Sequence, residues 1–520
     1  MDQFIAKFKN EIMGAISGLD RLVFRATPRR LMYSKGMEEY LWQSEVLFKD
    51  YEQHVKKISE RLRKASLSEY QKLGLPVVYV RSSDTDKEAL ARAIAAERKI
   101  LSGPVCALKC LEPSPTFEHR GKSMVSRTRP CLVIYHYCLE PEYGWMNARI
   151  QTWFPFHIQV CLNGREWLAR QMDREGLRYY QQGNCFPWLE NYPRAQELLH
   201  AQLQVNWVER LQPIAQKLNP LHEQIFQKYP AHHYWTCHQS EWATDMVFQS
   251  GALRRLEPLF MQHGLLSFSS ADVLQFLGKK VNPSGEIPGW FNGAVTTDFK
   301  RRQEGERVKY RLNGNSLKDY GKAHTPVGDV FRVETTVHQP AQFPVYRPKQ
   351  GGPADQLAWR PMRKGVADMY RRAEVSQKAN ERYLNALSQI DDSARLQQFI
   401  QPLEQRREWK GKRVRALRPF DAADNRLLEV VNRGEFAING LRNRDLQRLL
   451  YDQPAESPQE QRQRSAAVSR KLRLLRAHGL IQKVPKTHRY QVTAAGRQAI
   501  IAVLTVQHTS LRQLNAAVAA

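Results

Sequence analysis

The sequence predicts a multidomain α+β protein. It has a helical N-terminal region, a central antiparallel sheet carrying helices, and a compact C-terminal domain of helices and a hairpin. Three observations lead there. A chain of 520 residues exceeds one ordinary hydrophobic core and points to two to four domains. Apolar residues make up 42%, with Trp 11, Tyr 20 and Phe 20, which excludes a disordered chain. The apolar period also changes along the chain from helical to alternating and back. The net charge of +27 makes a polyanion the expected partner, and nucleic acid is the commonest one.

Residues 1–103 read as mainly helical. "MDQFIAKFKNEIMGAISGLD" has an amphipathic helical pattern rather than a signal-peptide core. "MEEYLWQSEVLFKDYEQHVKKISERLRKASLSEYQKLG" continues that spacing and stops at Gly74, ahead of Pro76. "PVVYV" is a short strand, and "SSDTDKEALARAIAAERKIL" starts a helix with capping residues and acids in its first turn.

Residues 104–350 form the expected central domain. "PVCALKCLE", "RPCLVIYHYCLE", "WMNARIQTWF" and "FHIQVCLNG" predict a β-meander, with "PSPTFEHRGKSMVSRT" as a polar loop. Helices follow over 165–230 and again, after "HHYWTCHQSEWATDMVF" (232–248), up to Leu277, and 290–347 reads as a second small sheet. Residues 351–414 read as a hinge, helices and the start of a basic linker, "QRREWKGKRVRALRP". The seven cysteines suit a reducing cytoplasm and not a disulfide scaffold. Cys106, Cys110, Cys131 and Cys138 match no standard zinc spacing and read as buried thiols. No apolar run is long enough to span a bilayer, so no membrane partner is expected.

Residues 415–520 give the strongest local pattern. "PFDAADNRLLEVVNRG", "RNRDLQRLLYD" and "SPQEQRQRSAAVSRKLRLLRAHG" are three helices, and "LIQKVPKTHRYQVT" is a strand–turn–strand before a last helix. The order resembles a winged helix-turn-helix domain of bacterial transcription regulators. The third helix can present Arg462, Arg464, Arg470, Lys471, Arg473 and Arg476 outward while Val468, Leu472 and Leu475 pack inward. Such a helix fits the major groove, with Lys483, Lys486, His488 and Arg489 of the hairpin reaching phosphate or the minor groove. The alternative is a solvated basic face that docks a protein.

Chemistry would have to lie in the middle of the chain. "NSLKDYGKAHTPVGDVFRVETTV" (315–337) holds a tyrosine among lysines, then a strand with Glu334 among apolar neighbours. This phrase resembles the replication initiators of rolling-circle plasmids and filamentous phages, which carry a tyrosine–lysine strand, an Arg-x-Glu strand and an upstream acid. The resemblance implies Tyr320 as nucleophile with Lys318 and Lys322 beside it, and Glu334, Asp245 and Glu241 as ligands of Mg²⁺ or Mn²⁺. It implies single-strand nicking that leaves a phosphotyrosine at the 5′ end and a free 3′ hydroxyl. That chemistry needs an oxygen nucleophile, an electrophilic cation and positive charge for the strand. The family's paired histidines are missing: His157 stands alone, and adjacent His232 and His233 would point to opposite faces of a strand. The bland alternatives are an ion pair of Glu334 with Arg332, Arg311 or Lys318, and a Tyr320 present for β propensity.

Residues 145–192 mix aromatics with Arg, Asn and Gln. Trp153, Trp167 and Trp188 could stack single-stranded bases, or the cluster could be a Trp-rich core. Taken together, the expectation is a cytoplasmic, nucleoid-associated nucleic-acid-binding protein of a bacterial mobile element, plasmid or phage, acting as a metal-dependent tyrosine nickase. The alternative is a non-catalytic DNA- or RNA-binding protein, either a regulator or a partner of structured RNA. DNA is the first expected partner and RNA the second. No Gly-Lys-Ser/Thr phosphate loop is present.

Overall fold

The strands and helices come from a computed structural model. It describes all residues except 82–84, 269, 280–294, 303–304, 350, 390–395, 433–435, 437–439, 452, 485–486 and 509–520. The chain divides into two compact units: Met1–Arg254, Gln303–Gly305 and Asn313–Arg382 in the first, the rest in the second.

The strands, in chain order, are β1 (Ile12–Pro28), β2 (Val77–Tyr79), β3 (Gly103–Arg120), β4 (Ser123–Glu140), β5 (Gly144–Gln151) and β6 (Ile158–Asn163). They continue with β7 (Tyr179–Gln182), β8 (Cys185–Leu189), β9 (His233–Phe248), β10 (Val295–Arg302), β11 (Gly305–Leu312), β12 (Asn315–His324) and β13 (Asp329–Val337). In the first unit they lie in the order β12-β13-β9-β1-β6-β5-β4-β3-β2. Every pairing there is antiparallel except β2 with β3.

Two expectations are corrected by this topology. The helix read over the first twenty residues is confined to Asp2–Lys7, and the 17 residues of β1 run through the middle of the sheet. Gly14 and Gly18 weaken a helix there, and they let Tyr192 and Leu199 lie where a Cβ would stand. Likewise β12 and β13 are not a second small sheet: β13 pairs along β9 and extends the first. The polar loop "PSPTFEHRGKSMVSRT" is also strand, because β3 and β4 pair continuously down to Arg120↔Ser123 around Gly121.

The β-meander of β3 to β6 forms as expected, and all seven cysteines are free thiols. Leu22, Phe24 and Ala26 of β1, Ile158, Val160 and Leu162 of β6, and Ala148 and Ile150 of β5 are buried in one core with the helices Ser34–Gln43, Tyr51–Lys72 and Trp207–Leu218. Each such side chain contributes roughly 1.5–3 kcal/mol by leaving water. Side chains alternate along a strand, so Arg21, Arg25 and Thr27 of β1, Gln159 and Cys161 of β6 with His157 just ahead of it, and Asn147 and Arg149 of β5 share the other face. That face is polar, and it holds the candidate site.

In the second unit, helices Ala422–Val431, Asn443–Leu450 and Pro458–Ala477 precede strands Ile481–Lys483 and Tyr490–Val492 and the helix Ala494–His508. Leu427, Leu428, Leu446, Val468, Leu472, Leu475, Ile481 and Ile500 form its core. The stretch read as a linker belongs to it, since Val414 and Leu417 are buried in the same cluster. Among the described residues, no helix is long and apolar enough to cross a membrane.

Candidate active site and basic helix

Register brings the acids together. Lys318 and Tyr320 of β12 lie opposite Glu334 and Arg332 of β13. Glu334 and Arg332 in turn lie opposite Ala243 and Asp245 of β9, and Thr336 lies opposite Glu241. Two-residue spacing on three neighbouring strands sets all of these side chains on one face.

The remaining member comes from a bulge. Between Leu19↔Trp242 and Leu22↔Ser240, β1 advances three residues while β9 advances two. The extra residue turns both Asp20 and its neighbour Arg21 toward one cavity, the re-aiming a β-bulge performs. Gly164 permits this: a Cβ there would stand 2.2 Å from the Leu19 carbonyl oxygen.

The cavity measures about 470 Å³ and is lined by Asp20, Glu241, Glu334, Lys318, Tyr320 and Lys322, with Arg21, Glu88, Arg92 and Glu166 among the others. Single carboxylate oxygens of Asp20, Glu241 and Glu334 all lie within 4.8 Å of one another. Lys318 Nζ sits 2.7 Å from Glu334, and the Tyr320 hydroxyl donates to the same carboxylate at 3.4 Å. The ammonium groups of Lys318 and Lys322 stand 5.4 Å and 5.8 Å from the Tyr320 ring centre. Burial, and then the charges of Glu334 and Asp20, push the Glu241 carboxyl up to about 8. Crowded oxygen ligands of this kind suit a hard divalent cation.

Asp245, expected as a ligand, has another role. Its two oxygens accept from Arg332 at 2.6 Å and 2.8 Å, and Arg165 lies 3.2 Å away. Arg332 also donates to Asp20 at 3.0 Å and to the Asn184 carbonyl at 2.7 Å. Burial acts to raise the Asp245 pKa, but Arg332 and Arg165 outweigh it and hold the carboxyl below its ordinary range. Asp245 is thus the anchor of a buried guanidinium, and Asp20 takes its place beside Glu241 and Glu334. The helical reading of residues 1–20 hid Asp20; no motif around it points to a site.

The aromatic stretch is mostly interior. Trp167 is buried, Trp153 and Trp188 are half-buried, and Arg129 lies 5.1 Å over the Trp153 ring. Phe154 and Phe156 are core. Trp167 therefore offers no open ring for base stacking, and the Trp153 ring is covered on one side by Arg129.

On the helix Pro458–Ala477, Val468, Leu472 and Leu475 face the core, while Arg462, Arg470 and Arg473 are exposed. Arg464 is drawn to Glu460 and stacks 4.6 Å over Tyr451, and Arg476 stacks 4.7 Å over Trp409. Those two are held inside the unit. Lys471 and Arg489 are half-buried, Lys483 and His488 are exposed, and Lys486 lies outside the described residues. Comparison with protein-family models, curated proteins and solved structures finds no match to this chain.

Proposed function

We propose that the chain is a nucleic-acid-binding protein with a metal-dependent tyrosine nicking centre in its first unit and a winged-helix duplex-binding element in its second. The observation that carries the reading is the convergence of Tyr320, Glu334, Lys318, Lys322 and Glu241 with Asp20 around one polar cavity. Crowding Glu241 against Glu334 and Asp20 costs stability unless a proton or a metal ion offsets it, and such clusters are candidates for a functional site. Asp20, Glu241 and Glu334 would hold a Mg²⁺ or Mn²⁺ ion, which when bound supplies an electrophile for a phosphate oxygen. Glu334 is placed to take the proton of the Tyr320 hydroxyl. The Tyr320 Oη–P bond then forms as the P–O3′ bond breaks, and the 3′ oxygen leaves with a proton from solvent. Lys318 and Lys322 offset the charge that accumulates on the phosphate. DNA is the proposed strand and a bacterial mobile element the proposed setting.

A second reading rests on the 2.7 Å Lys318–Glu334 pair, which satisfies the buried carboxylate with no metal ion. Under it the chain binds DNA or RNA without cutting. Incubation with end-labelled single-stranded DNA and Mn²⁺ separates the two. Nicking that disappears in Glu334→Gln and in Tyr320→Phe supports the first; absence of nicking by the wild type under Mg²⁺ and Mn²⁺ supports the second.

A further inference from the structure

The polar face of the sheet does not end at the acidic cavity. Asn163 and Cys161 of β6 border it, and the next side chains of the same row, Gln159 and His157, border a second cavity of about 530 Å³. Across the sheet the same split recurs, with Arg21 in the first cavity and Arg25 in the second, Asn147 in the first and Arg149 in the second. From Asn163 to Gln159 is about 13 Å at the rise of a strand. The two cavities therefore lie in line along one face.

The second cavity has four cations and no carboxylate among its lining residues: Arg25, Arg29, Arg149 and Lys364. Arg149 is matched by Glu112. Arg25 donates to the Gln159 side-chain oxygen at 3.2 Å, and Arg29 lies 4.9 Å over the ring of Tyr234. Among the described residues neither these two nor Lys364 has an ion-pair partner. Burial and the charge of Arg149 lower the Arg25 pKa, and burial with Arg25 and Arg149 pushes His157 down to about 4. The cavity thus disfavours any further positive charge, and an anion would relieve it. Guanidinium forks match phosphate oxygens. Tyr33, 66% exposed at the rim, adds an open ring of the kind on which a base stacks.

We propose that this basic cavity binds backbone phosphates of single-stranded DNA and is the strand-holding subsite for the acidic cavity on the same sheet face. The inference deepens the nicking proposal and rests on its nucleic-acid reading, yet its own test is binding and not cleavage. The full chain would be titrated with a fluorescent single-stranded oligonucleotide and with its duplex over a range of salt, comparing wild type, Arg29→Ala/Lys364→Ala and Arg25→Gln. Arg29 and Lys364 are exposed, so the double variant should keep the wild-type melting temperature.

The expected result is at least a tenfold loss of single-strand affinity in the double variant. The slope of log affinity against log salt should fall by about 1.4, two phosphates at about 0.7 each. Duplex affinity should stay within twofold. Unchanged single-strand affinity overturns the inference, as does an equal loss for duplex, a wild type that binds no single strand, or displacement of the oligonucleotide by millimolar inorganic phosphate. If the double variant loses single-strand affinity while the wild type never cleaves, the subsite stands and the nicking centre falls. If the wild type cleaves and the double variant binds single strands normally, the reverse holds.

Discussion

Glu334 sits on a fully buried strand, yet its carboxylate meets Lys318, Tyr320 and two further acids. Its neighbour Glu241 reports on that crowding. With a folded-state pKa near 8 against about 4.3 when unfolded, the folded chain binds the extra proton between those values. Stability from this group is therefore full below about pH 4 and is lost as pH rises through 8. Metal-free protein should melt at a falling temperature between pH 6 and 9, and Glu241→Gln should flatten that fall relative to wild type in differential scanning calorimetry. Mn²⁺ should raise the melting temperature more at pH 8.5 than at pH 6, because binding must expel the proton. Equal pH dependence in wild type and variant would remove Glu241 from the cluster. Asp245→Asn is expected to act differently, costing about 3–5 kcal/mol of stability by stranding the buried Arg332 and Arg165; a loss under 1 kcal/mol in urea unfolding would contradict the anchor role.

At the scale of elements, the bulge in β1 and the helix Gly164–Glu175 act as one piece. Gly164→Ala would push against the Leu19 carbonyl and should cost about 1–3 kcal/mol, with weaker Mn²⁺ binding as Asp20 shifts. Unchanged thermal stability would show that the strand can yield. The basic helix allows a sharper comparison. Arg470→Glu with Arg473→Glu should lower duplex affinity by tenfold or more and reduce its salt dependence. Arg464→Ala and Arg476→Ala should lower the melting temperature first, since both rings they cover lie within the unit; stronger effects of these two on DNA binding than on stability would reverse the assignment.

The elements of the second unit were legible because caps mark them: Asp421 and Ser457 accept from their own first turns. The β12–β13 pair was legible from its alternation. What the sequence hid was β1. Its apolar spacing fits both periods, and the choice is made by β6 and β9 on either side of it, which are distant in sequence. Losing β1 meant losing Asp20, and Asp245 was put in its place. The stacking expectation for Trp153, Trp167 and Trp188 was ambiguous for a related reason: aromatic density is the same in a core and on a platform, and burial separates them only at Trp167, which is interior.

Over the whole molecule, a net charge of +27 would supply long-range attraction for the proposed nucleic-acid partner, while the proposed chemistry falls to one face of one sheet. The most direct test of that account is the search for a covalent adduct. Full-length protein would be incubated with single-stranded DNA and Mn²⁺, resolved by denaturing electrophoresis, and the adduct digested for peptide mass mapping. The expected product is a phosphonucleotide on the oxygen of Tyr320, formed by the wild type and missing from Tyr320→Phe and Glu334→Gln. An adduct mapped to another residue, or retained in Tyr320→Phe, would contradict it.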